Sequence, residues 1–207
     1  MDKKAHWEAK YRGASPDRLS WYQAEPEPSL SLIRAAVTGE ARIIDVGGGA
    51  SLLVDALLAA GYAHLTVLDL SASALALARA RLGSHAANVR WIEADILDAS
   101  LPGEGYELWH DRAVFHFLTG AAERRRYVQR LRGALSQEGH VVIGTFAPEG
   151  PPRCSGLDVV RYSAERLRAE LGPGFHLVQD ISYRHQTPDG RDQEFTYCHF
   201  RRDPAGS

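Results

Sequence analysis

Cysteine is scarce: Cys154 and Cys198 are the only two in 207 residues. They show neither CxxC spacing nor the pattern of a disulfide framework, so a stapled secreted scaffold is not expected. Long apolar runs are missing as well. No stretch approaches the ~18 residues of a membrane span, and the start MDKKAHWEAKY is too polar for a signal peptide. The expectation is a cytoplasmic protein with no membrane partner. An excess of one charge is also lacking, with a net charge of -2 and a pI near 6.5. That balance leaves no footprint for nucleic acid. Lysine is confined to Lys3, Lys4 and Lys10, every other basic residue being arginine. This reads as a coding bias, and the run Arg124-Arg125-Arg126 as a solvated helix face.

What the chain does have is a 44% apolar fraction in a length that suits one domain with a full core. The apolar residues come in an alternating order. Strand-like runs are expected at 42–46, 65–69, 89–93, 106–110 and 140–146, and helical spacing at 51–60, 73–82 and 121–135. Gly61, Gly83 and Gly139 supply the stops. Such alternation implies a parallel sheet covered on both faces. After Pro148-Glu149-Gly150-Pro151-Pro152 the order changes. A short helix at 163–171 is followed by strand-like runs at 175–185 and 194–202, joined by the turn signal Pro188-Asp189-Gly190. The fold expected is α/β: a Rossmann-like, doubly wound, seven-stranded sheet, mostly parallel with an antiparallel C-terminal hairpin.

The most telling segment is 41–52, ARIIDVGGGASL, an apolar strand leading into Asp45, three glycines and Ser51 at the opening of a helix. Glycines there let a ligand approach the backbone, and free helix N–H groups favour anionic groups. Further acids, Asp69, Asp95 and Asp111, stand at or just after strand ends, where an open α/β sheet places its ligand. Asp69 is placed to accept from two ribose hydroxyls, and Asp95 from an exocyclic amine with Ile96 against the base. A single acid in such a place reads as a helix cap. Four beside a glycine loop read as a nucleoside site.

The order and spacing of these residues resemble the class I S-adenosylmethionine (SAM) methyltransferases. Asp45-Val46-Gly47-Gly48-Gly49 is similar to their motif I, D-x-G-x-G. Leu68-Asp69-Leu70-Ser71 resembles the acidic segment that follows, Ala94-Asp95-Ile96 the adenine loop, and Leu108 to Arg112 the fourth-strand motif. The match runs from about residue 40 to 148. The dinucleotide fingerprint G-x-G-x-x-G fits worse, because Leu52 stands where its third glycine belongs. The resemblance implies SAM as cofactor, with S-adenosylhomocysteine as product. It also implies a cofactor-binding set of Asp45, Gly47, Gly48, Gly49, Ser51, Asp69, Leu70, Ser71, Asp95, Ile96, Asp111 and Arg112. Ser51, where many members carry glycine, is the departure.

Ahead of the first strand, Trp7, Tyr11, Trp21 and Tyr22 form a pattern similar to the N-terminal lid of small bacterial methyltransferases. Trp7 and Tyr11, at i and i+4, read as docking a helix on the sheet, and Trp21 and Tyr22 as lining the pocket. His116 is the candidate general base, with Asp111 beside the reaction. A lone histidine between phenylalanines is also an ordinary hydrogen-bonded core residue. Cys154, Arg161 and Tyr162, with His116, are the expected acceptor-side residues. No metal is expected, His185 and His199 having no spaced partners. The chain reads as one domain, 1–207: a helical lid over 1–39, a SAM-binding core over 40–148, and a substrate loop with the hairpin over 149–207. The function expected is methyl transfer to a small molecule, with a protein lysine as the alternative acceptor and a non-catalytic SAM-binding module behind both.

Overall fold

Apolar runs too short to be helices, most rich in Val, Ile and Leu, pair into one sheet; the computed structural model describes residues 2–13 and 15–204. The elements in chain order are α1 (Lys3–Tyr11), α2 (Ser29–Ala36), β1 (Arg42–Val46), α3 (Leu53–Ala59), β2 (His64–Asp69), α4 (Ala72–Leu82) and β3 (Val89–Glu93). Then follow β4 (Tyr106–Arg112), α5 (Ala121–Ala134), β5 (Leu135–Phe146), a two-residue pair β6 (Arg153–Cys154) and β7 (Leu157–Asp158), α6 (Ala164–Leu171), β8 (Phe175–Gln186) and β9 (Asp192–Arg202).

The large sheet has the order β3-β2-β1-β4-β5-β9-β8, with β9 antiparallel to both of its neighbours and the other pairings parallel. The chain order reverses between β1 and β4, so the strand ends diverge there and leave a crevice. Both faces are buried. Ile44, Val46, Trp109, Val141 and Ile143 pack under α5 and α6, while Ile43, Leu65, Val67, Leu108 and Val142 pack on the side of α2 and α3. Parallel strands covered on both sides lose the simple in-out alternation, as their sequences showed.

Two of the boundaries that differ from the sequence expectation have a visible cause. Helix α3 begins at Leu53 rather than 51, because Ser51 is held in the preceding turn: its N–H donates to the Gly48 carbonyl at 2.8 Å and its Oγ accepts from Leu53 N–H at 3.1 Å. β5 begins at Leu135 rather than 140. Leu135 pairs with Tyr106, then the register skips to Leu108–His140, with Glu138 at positive φ absorbing the extra residues. Among the described residues no helix is long and apolar enough to cross a membrane.

Candidate active site

The crevice at the carboxyl ends of β1, β2 and β4 is walled by the glycine turn on one side and roofed by α1. Gly47 sits at φ 72°, and a Cβ there would overlap the Val114 side chain. Gly49, at φ 40°, faces Asp69, whose Oδ2 would lie 2.6 Å from an added Cβ. These two positions exclude side chains on both conformational and steric grounds. Arg81 fixes the turn from α4: it donates to the carbonyls of Ala50 (3.0 Å) and Ser51 (2.7 Å) and pairs with Asp55.

Asp45 ends β1 with its carboxylate inside. His110, its register partner on β4, hydrogen-bonds Asp45 Oδ1 through Nδ1 at 2.6 Å and the Ser29 hydroxyl through Nε2 at 2.8 Å. Asp69 accepts from Ser71 N–H at 2.8 Å. Burial raises its carboxyl to about 7, with the Ser71 N–H opposing and Asp45 adding to the shift. Asp95 accepts from Leu97 N–H at 2.9 Å and lines the crevice beside Ile96.

The roof is aromatic. Trp7 meets Trp21 edge-on with centroids 5.7 Å apart and Phe117 at 5.1 Å, and Tyr11 meets Trp21 at 5.8 Å. Ion pairs Lys3–Glu123 (2.5 Å) and Lys4–Glu93 (2.6 Å) tie α1 down, and Glu8 accepts from the Ser73 hydroxyl at 2.5 Å. The free space beneath is about 150 Å³. Arg112, at the end of β4, donates through Nε to the Tyr197 hydroxyl (2.9 Å) and through Nη1 to the Trp21 carbonyl (2.8 Å).

Of the residues expected from sequence, Trp21, Tyr22, Asp45, Gly47, Gly48, Ser51, Asp69, Leu70, Asp95, Ile96, Arg112 and Cys154 line this crevice. Others do not. Ser71 is fully buried and caps α4 through Ala74 N–H (3.1 Å), and Gly49 lies behind the lining beside Asp69. Asp111 is wholly buried off the crevice: it accepts from the Val114 and Phe115 N–H groups and from the Tyr127 hydroxyl at 2.6 Å, which itself accepts from Trp109. Burial raises its carboxyl to about 6, and its task is to pin the turn after β4. His116 is likewise shut inside, its Nδ1 accepting from Phe146 N–H at 3.4 Å between the rings of Phe117 and Phe146. Burial, with Arg112 nearby, drives its imidazole down to about 3. A neutral ring without access to the crevice is no general base there, which corrects the sequence expectation. Tyr162 packs on Phe115 in the core, and Arg161 donates to the Gly150 carbonyl outside the crevice, so neither faces an acceptor.

Sequence reasoning missed part of the lining. Trp7 and Tyr11 dock α1 and also face the crevice, and Val114, Phe117 and His110 complete it. His110 carried a signal: it is a polar residue inside an otherwise apolar buried strand, opposite Asp45 in register.

Residues 43–139 match the family described as a methyltransferase domain. An uncharacterized methyltransferase of Mycobacterium tuberculosis is 33% identical over 104 residues, half of each protein. The chain thus spans about half the length of the curated relatives it matches. Human EEF1A lysine methyltransferase 2 is 22% identical over 193 residues, 86% of this chain and 76% of that protein. The fold matches a structure solved for the conversion of a disulfide bond into a thioacetal group during echinomycin biosynthesis, with TM-score 0.79, 23% identity, and coverage of 99% and 94%. It also matches Burkholderia thailandensis 1,6-didemethyltoxoflavin-N1-methyltransferase, solved with S-adenosylhomocysteine, at TM-score 0.71, 21% identity, and coverage of 96% and 88%.

Over its central part the chain is similar to methyltransferase domains, and its fold is that of solved SAM-dependent methyltransferases. The residues that line the crevice fit SAM. The backbone turn at Gly47 and Gly49 tolerates no Cβ, and Asp69 is a buried carboxyl raised by desolvation, which a pair of hydroxyl donors would return to its charged form.

Proposed function

We propose that this methyltransferase moves the methyl group of SAM to a small-molecule nucleophile. When bound, SAM supplies a methyl group made electrophilic by its sulfonium. Asp69 holds the ribose hydroxyls, Asp95 and Ile96 receive the adenine, and Asp45, fixed by His110, orients the amino-acid end past Gly47 and Gly48. Trp7, Trp21 and Phe117 exclude water and present aromatic surface to a cationic centre, a contact worth roughly 0.5–2 kcal/mol. Alignment and desolvation carry the rate in such a site.

The observation that supports a small acceptor is the roof: α1 and its aromatic side chains cover the crevice that a protein chain would have to enter. Purified protein with methyl-labelled SAM, offered thiols, amines, phenols, metalloids and a cell lysate, tests this. A labelled small product supports it. Binding of NAD with binding of neither SAM nor S-adenosylhomocysteine sinks the whole reading. The similarity to human EEF1A lysine methyltransferase 2 along most of the chain favours a second reading, in which the acceptor is a protein lysine. Label recovered in lysate protein would select it.

A further inference from the structure

Arg112 lines the crevice at the end of β4 with a guanidinium that is only partly engaged. Two of its three nitrogens are committed, to the Tyr197 hydroxyl and the Trp21 carbonyl, and Phe195 lies under the guanidinium with its centroid 5.1 Å from Cζ. The third, Nη2, is shut off from solvent and has no partner. Among the described residues Arg112 has no ion pair, although buried acids stand in the same crevice. A buried donor on a charged group left unpaired is costly, by more than for a neutral one, and calls for a partner.

The position says which ligand. Asp69 and Asp95 close β2 and β3 on one side of β1, whereas Arg112 closes β4 and is gripped by β9 and by the lid residue Trp21. The two ends of the crevice lie on opposite sides of the switch point. The charge of Arg112 pulls down the pKa of Tyr11, Cys154, Tyr197, His116 and His185. It stabilises anions there and opposes ammonium groups. His110, the imidazole lining the crevice, is engaged at both nitrogens. An acceptor that arrives as an anion has no proton for such a site to remove.

We infer that Arg112 Nη2 binds an anionic oxygen or sulfur of the methyl acceptor, so that the acceptor class is a small carboxylate, phenolate or thiolate rather than an amine. The inference rests on the methyl-transfer reading and adds the charge of the substrate to it. It also weighs against a lysine acceptor, whose ammonium would meet the guanidinium.

The test uses protein saturated with S-adenosylhomocysteine, titrated at constant ionic strength with formate, thiocyanate and benzoate, and with formamide and benzamide as neutral counterparts. Tryptophan fluorescence reports, since Trp21 is held directly by Arg112. At least one anion should saturate at tenfold or more lower concentration than the neutral compounds. In protein kept saturated with S-adenosylhomocysteine, Arg112→Met should abolish that preference, and Arg112→Lys should retain part of it. Equal response to charged and neutral probes, or no saturation by any anion, overturns the proposal. So does a tenfold or greater loss of S-adenosylhomocysteine affinity in Arg112→Met, which would give the guanidinium to the cofactor's carboxylate. Loosening of the lid alone would move all probes together and leave the preference intact, again against the proposal. Failure of wild-type protein to bind S-adenosylhomocysteine, seen first by calorimetry, would instead strike the methyl-transfer reading itself.

Discussion

Asp69 sets a pH limit on its own work. Its carboxyl, raised to about 7 by burial, is protonated in the free protein below that value and ionised above it. Only the ionised form offers acceptors to both ribose hydroxyls. Affinity for S-adenosylhomocysteine should therefore fall as pH is lowered below about 7, by up to about tenfold per pH unit. Asp69→Asn should weaken binding at least tenfold at pH 8 and flatten the profile. Calorimetry at pH 6, 7 and 8 checks both, and a flat wild-type profile would remove Asp69 from the ribose. Gly47 makes a steric prediction: Gly47→Ala places a Cβ in the Val114 side chain at positive φ, costing roughly 2 kcal/mol or more and lowering Tm. His116→Gln, at a buried position off the crevice lining, should keep turnover within about twofold; a loss of a hundredfold with cofactor binding intact would return it to the chemistry.

Among the elements, α1 carries the clearest consequence. Its anchors are exposed or half-buried ion pairs and one side-chain hydrogen bond, contacts that solvent screening keeps weak. About 150 Å³ of free space lies beneath it, against the 300 Å³ or more that ligand sites of this kind enclose. The expectation is that the helix shifts when a nucleoside enters, which its weak anchors permit. Glu8→Ala should raise the dissociation rate of S-adenosylhomocysteine several-fold in stopped-flow displacement while shifting overall stability by less than about 1 kcal/mol. An unchanged rate would mean that α1 does not gate the site. The strand and helix order was legible because glycine stops and β-branched runs act locally, as at Gly83 after α4. The placement of Asp111 and His116 was not. Both follow from how β4 turns into the Phe115–Phe117 segment, where the Asp111 carboxylate captures two backbone N–H groups and draws the histidine inward. Tertiary burial of that sort leaves no periodic trace in sequence. The double role of Trp7 and Tyr11 was half visible: spacing gave the docked face but not what lies beneath it.

For the molecule as a whole, two sets of buried groups oppose each other in acid. His116, held near 3, and His199, held near 4 by burial and by His140, stay neutral when folded but take up protons once unfolded below about 6.5. They withdraw stability as pH falls from 6.5. Asp69 and Asp111, near 7 and 6, stay protonated when folded while the unfolded chain ionises above about 4, so they withdraw stability as pH rises through the same window. The net slope between pH 4 and 6 should be shallow. Removing one member exposes the other: relative to wild type, His116→Gln should gain stability as pH falls from 6.5 to 4, by at most about 1.4 kcal/mol per pH unit in denaturant titrations. A constant difference across that range would show that His116 titrates normally.

The near absence of lysine acquires a use once the fold is known. Lys3, Lys4 and Lys10 all lie on α1, and the first two make its ion pairs. Among side chains, an amine-directed reagent therefore reaches the roof of the crevice and nothing else. Mild acetylation becomes a way of cutting the roof's tethers without a mutation, and an amine-coupled dye becomes a reporter that watches only the door.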